Sequence, residues 1–170
     1  MPTVVIVTIV VTIVLPLVAA VGVFGWAFWT YPHDRIELID DPEVLEVITG
    51  PCDAMRVAAS QIRLDDTATL AASLTTFATT ARTIPEAVFA LDRDVLDGDR
   101  PVASWADDWN SVLDAVDVHL ASLRTDAPVP FVMPLTEDGY SVVDRMDVAG
   151  PDGCEVPAVL RQLTSGVTPP

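Results

Sequence analysis

The chain has 170 residues, 51% of them hydrophobic, and a formal net charge of −16. Such acidity excludes nucleic-acid binding, which needs a basic footprint, and disfavours docking on anionic lipid. All nine basic residues are Arg, and the acids are 19 Asp and 6 Glu, a usage that points to a GC-rich genome or a salt-adapted host.

The first element is an anchor. Met1 to His33 carries no charged side chain, and Val4–Val14 is Val and Ile broken only by Thr8 and Thr12. Eighteen or more such residues suffice to cross a bilayer. The run Thr3–Thr30 therefore predicts one transmembrane helix, with the lipid bilayer as its partner. Its 28 residues reach about 42 Å at ~1.5 Å each, against a hydrocarbon core of ~30 Å. The surplus implies tilt or a last turn in the interface. Trp26, Trp29 and Tyr31 sit where an aromatic belt belongs, and Pro16 at mid-span is tolerable in lipid. A cleaved signal peptide needs a charged n-region and a short apolar stretch. Here no Lys or Arg precedes the run, and Val18-Ala19-Ala20, the nearest cleavage-like triplet, lies inside it.

Orientation has few markers, because only Arg35 lies close beyond the helix. Acidic groups do not hold a segment in the cytoplasm as Lys and Arg do, and two cysteines suit an oxidising compartment. The expected arrangement is a single-pass cell-membrane protein, its N-terminus cytoplasmic and its C-terminal domain outside.

Residues 31–41 read as a juxtamembrane linker and residues 42–124 as a helical bundle. Three stretches carry apolar residues at alternating spacings of three and four, the helix period. The first stripe is Leu45, Ile48, Cys52, Met55, Ala59 and Ile62. The second is Leu70, Leu74, Phe77, Ala81, Ile84, Val88 and Leu91, with Thr69, Ser73, Thr76, Thr80 and Thr83 opposite. The third is Trp105, Trp109, Val112, Val116, His119 and Leu123, broadened by Leu113 and Leu120. Asp65-Asp66-Thr67 offers N-cap groups for the second helix, Gly98 ends it, and Pro101 suits the first turn of the third. Gly50-Pro51 and Pro85 should kink their helices, since each stripe continues in phase past its proline. The linkers Arg63–Asp66 and Asp94–Asp99 are short, so neighbouring helices are expected to run antiparallel. The fold class is all-α: an anchor, then an antiparallel three-helix bundle.

Residues 125–170 have a different character. Pro128, Pro130 and Pro134 exclude a helix, and Asp138-Gly139 between Phe131–Leu135 and Tyr140–Val143 reads as a small β-hairpin. A second turn at Asp152-Gly153 leads to Cys154, then to a short helix near Pro157–Leu163. Residues 164–170 read as a frayed end.

Cys52 lies on the core stripe, whereas Cys154 belongs to a tail with little core of its own. A disulfide would staple the tail across the bundle; two free thiols, one of them a buried small hydrophobe, are the alternative. A redox-active role lacks the C-x-x-C spacing. The loop Asp92–Asp99 resembles a calcium loop, but its glycine falls at position seven, and Ala103 stands where a bidentate Glu is needed. It reads as a solvated helix-ending loop. Trp105 and Trp109 read as core, and His119 has no ligand at metal spacing. Asp107-Asp108 and Asp114/Asp117 look like a solvated helix face. There is no G-x-S-x-G, H-E-x-x-H, S-x-x-K or glycine-rich phosphate loop, so neither catalytic, cofactor-binding nor metal-binding residues are assigned.

A Cys early in the first helix (Cys52), the Trp-x-x-x-Trp helix (Trp105, Trp109), Asp138-Gly139 followed by Asp144-Arg145-Met146, and Gly153-Cys154-Glu155-Val156-Pro157 together resemble a group of small actinobacterial membrane-anchored proteins with no assigned function. The resemblance spans most of Pro51–Leu163. It implies the Cys52–Cys154 pairing and the host type, and no activity. Asp144, Arg145 and Met146 form the one tail segment that reads as an interaction surface, with an ordinary turn as the alternative.

These observations lead to the expectation of a non-catalytic accessory or scaffold protein at the cell envelope, with a membrane or envelope protein as partner. A ligand-binding or sensory module is the second expectation. With almost no cytoplasmic chain, it would have to signal through a membrane partner. An Asp-dependent hydrolase is the third, and would require a polar cleft with strongly shifted carboxylates.

Overall fold

The structure is a computed structural model, and it describes residues 38–164. The expected anchor Thr3–Thr30 and its aromatics Trp26, Trp29 and Tyr31 lie outside the described residues. Among the described residues no helix is long and apolar enough to cross a membrane.

Helix α1 runs Pro42–Ser60. Its start is set by Asp41, whose carboxylate accepts the amides of Glu43 and Val44 at 2.8 and 3.4 Å, and by Pro42, whose missing N–H costs nothing in the first turn. Pro51 sits inside the helix without ending it. Val44, Ile48, Cys52, Met55 and Ala58 make the buried face, while Leu45 and Ala59 are half-buried at its edge. The stripe is thus rotated slightly from the expected one.

Helix α2, Thr67–Ala81, is capped by Asp66, which accepts the Thr69 amide and hydroxyl at 2.9 and 2.7 Å. The Thr69 amide, more than its hydroxyl, holds the Asp66 carboxyl below the ordinary range. That contribution to stability is present above the usual Asp range and is lost as pH falls through the lowered value. Helix α3 follows at Thr83–Phe89. The proline expected to kink one long helix divides it in two. The ring of Pro85 crowds the carbonyl four residues back, at Ala81, where α2 ends. Arg82 stays right-handed helical, its amide on Ala78 and its carbonyl taken by Glu86. The apolar stripe therefore carries on through the joint, and Leu70, Leu74, Phe77, Ala81, Ile84 and Val88 are all buried.

Where a loop was expected after this helix, residues Arg93–Gly98 form a short helix, α4. Its Val95 and Leu96 are half-buried against the core, so the acidic loop contributes apolar packing as well as charge. Helix α5, Arg100–Ser122, starts with Pro101 in its first turn and buries Trp105, Trp109, Val112, Leu113, Val116, His119 and Leu120. α1 packs on α2 and α3, and α5 packs on both as well, which makes a helical bundle.

The tail does not form the expected hairpin. Leu135 and Ser141 make a single antiparallel bridge around a turn in which Gly139 has φ +81°. Pro134 has no N–H to extend the ladder. On the other side the Ser141 hydroxyl caps a new helix, α6, Val142–Ala149, by accepting the Asp144 amide at 3.3 Å. Val142, Val143 and Met146 then enter the core on a helical face. The last helix, α7, is Ala158–Thr164, with Leu160 and Leu163 buried.

Gly150 ends α6 where a side chain has no room. A Cβ there would lie 2.6 Å from Trp105 Nε1 and 2.9 Å from the Met146 carbonyl oxygen. Neither the indole nor the backbone can yield cheaply. Gly150→Ala should destabilise the domain by about 1–3 kcal/mol, read from denaturant midpoints. An unchanged midpoint would show that α6 can lift from Trp105.

Candidate functional site

The residues with chemical potential converge on the seam between the tail and the bundle. Cys52, on the buried face of α1, is bonded to Cys154, 102 residues later, with Cα atoms 5.1 Å apart. Both are 3% exposed. The backbone reaches this position through Gly153 at φ +87°, a conformation open to glycine. Gly153 also lies against the Arg56 guanidinium.

An ion pair crosses from α5 to α6. Arg145 Nε donates to Asp108 Oδ2 at 2.8 Å, and its Nη2 donates to Oδ1. This forked pairing suits Arg and carboxylate geometry. The hydrogen bond to Asp108 raises the Arg145 pKa above its already high ordinary value, which favours the charged guanidinium. The Asp108 side chain is 7% exposed and that of Arg145 53%. Asp108 had read as part of a solvated face. The correction has a simple source: Asp108 lies one turn from both Trp105 and Val112 and shares their side of the helix. Asp107, Asp114 and Asp117 are exposed, and Asp117 pairs with Arg82.

Asp144, Arg145 and Met146 therefore have three different surroundings. Asp144 is exposed, Arg145 is half-committed to Asp108, and Met146 is in the core at 1% exposure. Only the first and the outer edge of the second meet solvent. Further along, Asp147 accepts the Val156 amide at 3.2 Å and pairs with Arg161, tying α6 to α7.

Trp105 and Trp109 pack edge to face, with ring centroids 6.2 Å apart and planes at 85°. At 1% and 0% exposure they are core residues. His119 Nδ1 lies 3.0 Å from the Val129 carbonyl. A carbonyl only accepts, so Nδ1 carries the proton. The imidazole also meets Phe131 edge-on at 5.8 Å. His119 thus fastens the proline-rich segment to the end of α5. The indole nitrogens of Trp105 and Trp109 and Nε2 of His119 are buried with no hydrogen-bond partner among the described residues. No three His, Cys, Asp or Glu side chains among the described residues are disposed to hold a metal ion.

One acid of the loop that reads as solvated is buried. Asp99, at 6% exposure, lies between α4 and α5 and accepts the Asp41 amide at 3.2 Å. Its position after Gly98 marks it in the sequence as a loop residue, and no local signal shows that α1 begins beside it.

No known protein family, curated protein or solved structure matches this chain.

Removing both cysteines should cost up to about 4–5 kcal/mol in the chain-entropy picture of a loop this long, measured by denaturant unfolding. Arg145→Met should cost about 2 kcal/mol. That is discounted from the ~3–5 kcal/mol of a fully buried broken pair, because the guanidinium is half in water. Pairing it with Asp108→Asn should recover most of the loss, because no buried charge is then left alone. A double variant as unstable as Arg145→Met would refute that origin.

Proposed function

We propose that this chain is a single-pass membrane protein whose helical domain stands on the outer face and serves as a non-catalytic accessory or scaffold module. In this reading residues 1–30 are the anchor, 31–41 the linker, 42–124 an antiparallel three-helix bundle and 125–170 a stapled tail. The observation that carries it is the buried Cys52–Cys154 bond. Such bonds persist in oxidising compartments and are rare where thioredoxin and glutathione act. The uncharged run Thr3–Thr30 supplies the tether, and the acidic surface suits an envelope protein partner better than anionic lipid or nucleic acid.

The use made of the polar core groups supports a binding rather than a catalytic role. Asp108 is spent on Arg145, His119 on the Val129 carbonyl, and Asp99 on the Asp41 amide. Each joins one segment to another. Asp144 and the outer edge of Arg145 are the parts of the expected interaction surface that remain open to a partner.

A ligand-binding module is the second reading. It is favoured by the three buried ring nitrogens of α5 that have no partner among the described residues. A thermal-shift screen against envelope metabolites separates the two, since a ligand bound to the native state raises its stability by mass action.

The topology is tested in intact cells with a membrane-impermeant protease and with thiol alkylation. The expected result is an externally cleavable domain in which neither cysteine is alkylated until the protein is denatured and reduced. A domain protected from outside protease, or two thiols alkylated after denaturation without reductant, would overturn the outside placement.

A further inference from the structure

The segment that leads into the domain is held at two points. Ile39, 4% exposed, donates its amide to the Ala149 carbonyl at the end of α6 at 2.9 Å. Two residues on, the Asp41 amide is bonded to Asp99 Oδ2 at the junction of α4 and α5. The first attachment is neutral. The second rests on a carboxylate that is almost wholly buried.

That carboxylate has an unusual set of neighbours. Asp40 and Asp41 both act on it as like charges, while their backbone amides favour its ionised form. No Arg or His among the described residues is ion-paired with it. Its chain neighbours in α4 and α5, Asp97 and Arg100, are exposed, as is Glu43 in the first turn of α1. From α6, Asp147 is committed to Val156 and Arg161. The Asp41 side chain is itself engaged as the α1 cap. A buried carboxylate facing two others is relieved by a cation or by a proton. No three acidic, His or Cys side chains among the described residues are disposed to hold a metal ion. A proton taken up by Asp99 gives that relief without any further partner.

We propose that Asp40, Asp41 and Asp99 form a proton-operated clasp, which holds the lead-in segment Leu38–Asp41 to the helical domain more firmly as the surroundings acidify. Burial, above all, raises the pKa of Asp99, and repulsion from Asp40 and Asp41 adds to it against the pull of the two amides. The sign follows. A carboxyl whose folded pKa lies above its unfolded one weakens the native state when ionised. That penalty is present at neutral pH and disappears as pH falls through the raised value toward the ordinary Asp range near ~4. Asp66 responds in the opposite sense and at lower pH, so the two are separable. The protonated carboxyl still offers an oxygen to the Asp41 amide, so the attachment survives the loss of charge. Because Ile39 lies two residues from Asp41, both attachments tighten together. The clasp sits where the described domain begins and closes its first residues onto α5 and α6.

The test uses the full-length protein in detergent micelles or nanodiscs and compares it with Asp99→Asn and Asp40→Asn. Asparagine keeps the acceptor and removes the charge. At pH 7 Asp99→Asn should melt above the wild type, and the gap should close as pH is lowered toward the ordinary Asp range, as the wild type takes up its proton. Hydrogen exchange of the Ile39 amide, corrected for its intrinsic rate, should slow severalfold over the same interval in the wild type and stay level in Asp99→Asn. Asp40→Asn should retain the acid effect with its midpoint at lower pH, because one repelling charge is gone. A wild type and an Asp99→Asn variant whose melting curves run parallel with pH would overturn the proposal. So would Ile39 protection that does not respond to acid, or a midpoint indifferent to Asp40.

Discussion

The rest of the structure depends on a single covalent constraint, the bond between Cys52 in the middle of α1 and Cys154 in the tail. Helices of eight and seven residues, as α6 and α7 are, are too short to persist alone in water. They exist because Val142, Val143, Met146, Val156, Leu160 and Leu163 are buried against the bundle. The bridge holds the two sides of that contact together across a separation of 102 residues. It removes much of the unfolded chain's freedom and leaves the apolar surface to fix the geometry.

Around that staple, polar bonds act as fasteners between one element and another. Arg145 joins α6 to α5 through Asp108, His119 holds the proline-rich stretch through Val129, and Asp147 joins α7 to α6. Ile39 and Asp41 tie the lead-in to α6 and to the α4–α5 junction. Buried polar groups cost free energy unless they are paired, so a small domain that spends them this way gains definite attachments for its irregular parts.

The long elements were legible because their signal is redundant. Six or seven apolar residues in phase identify a buried helical face even when a proline interrupts it, and the stripe of α2 and α3 survives the joint at Arg82. The stripe of α1 was legible only to within a small rotation, since Val44 and Leu45, or Ala58 and Ala59, satisfy the same period and differ only in what they meet. The hairpin misled because Asp-Gly between apolar runs is a local turn signal, whereas Pro134 and the Ser141 cap settle the flanks. Among the site residues, the cysteines were legible from their number and setting. Asp108 was partly so, from its side of the helix, and Asp99 was not.

By itself, then, the sequence determined the helical period, the cap at Asp66, the turn at Gly139 and the pair of residues able to form a bridge. All of these are properties of residues near one another in the chain, or of composition. Tertiary structure alone decided that Asp108 is buried beneath Arg145, that Asp99 meets the amide of Asp41, and that Gly150 must leave space for Trp105. These contacts join residues roughly 40 to 60 positions apart. Their energy comes from the solvent excluded when separate elements meet, a quantity that no local spacing encodes.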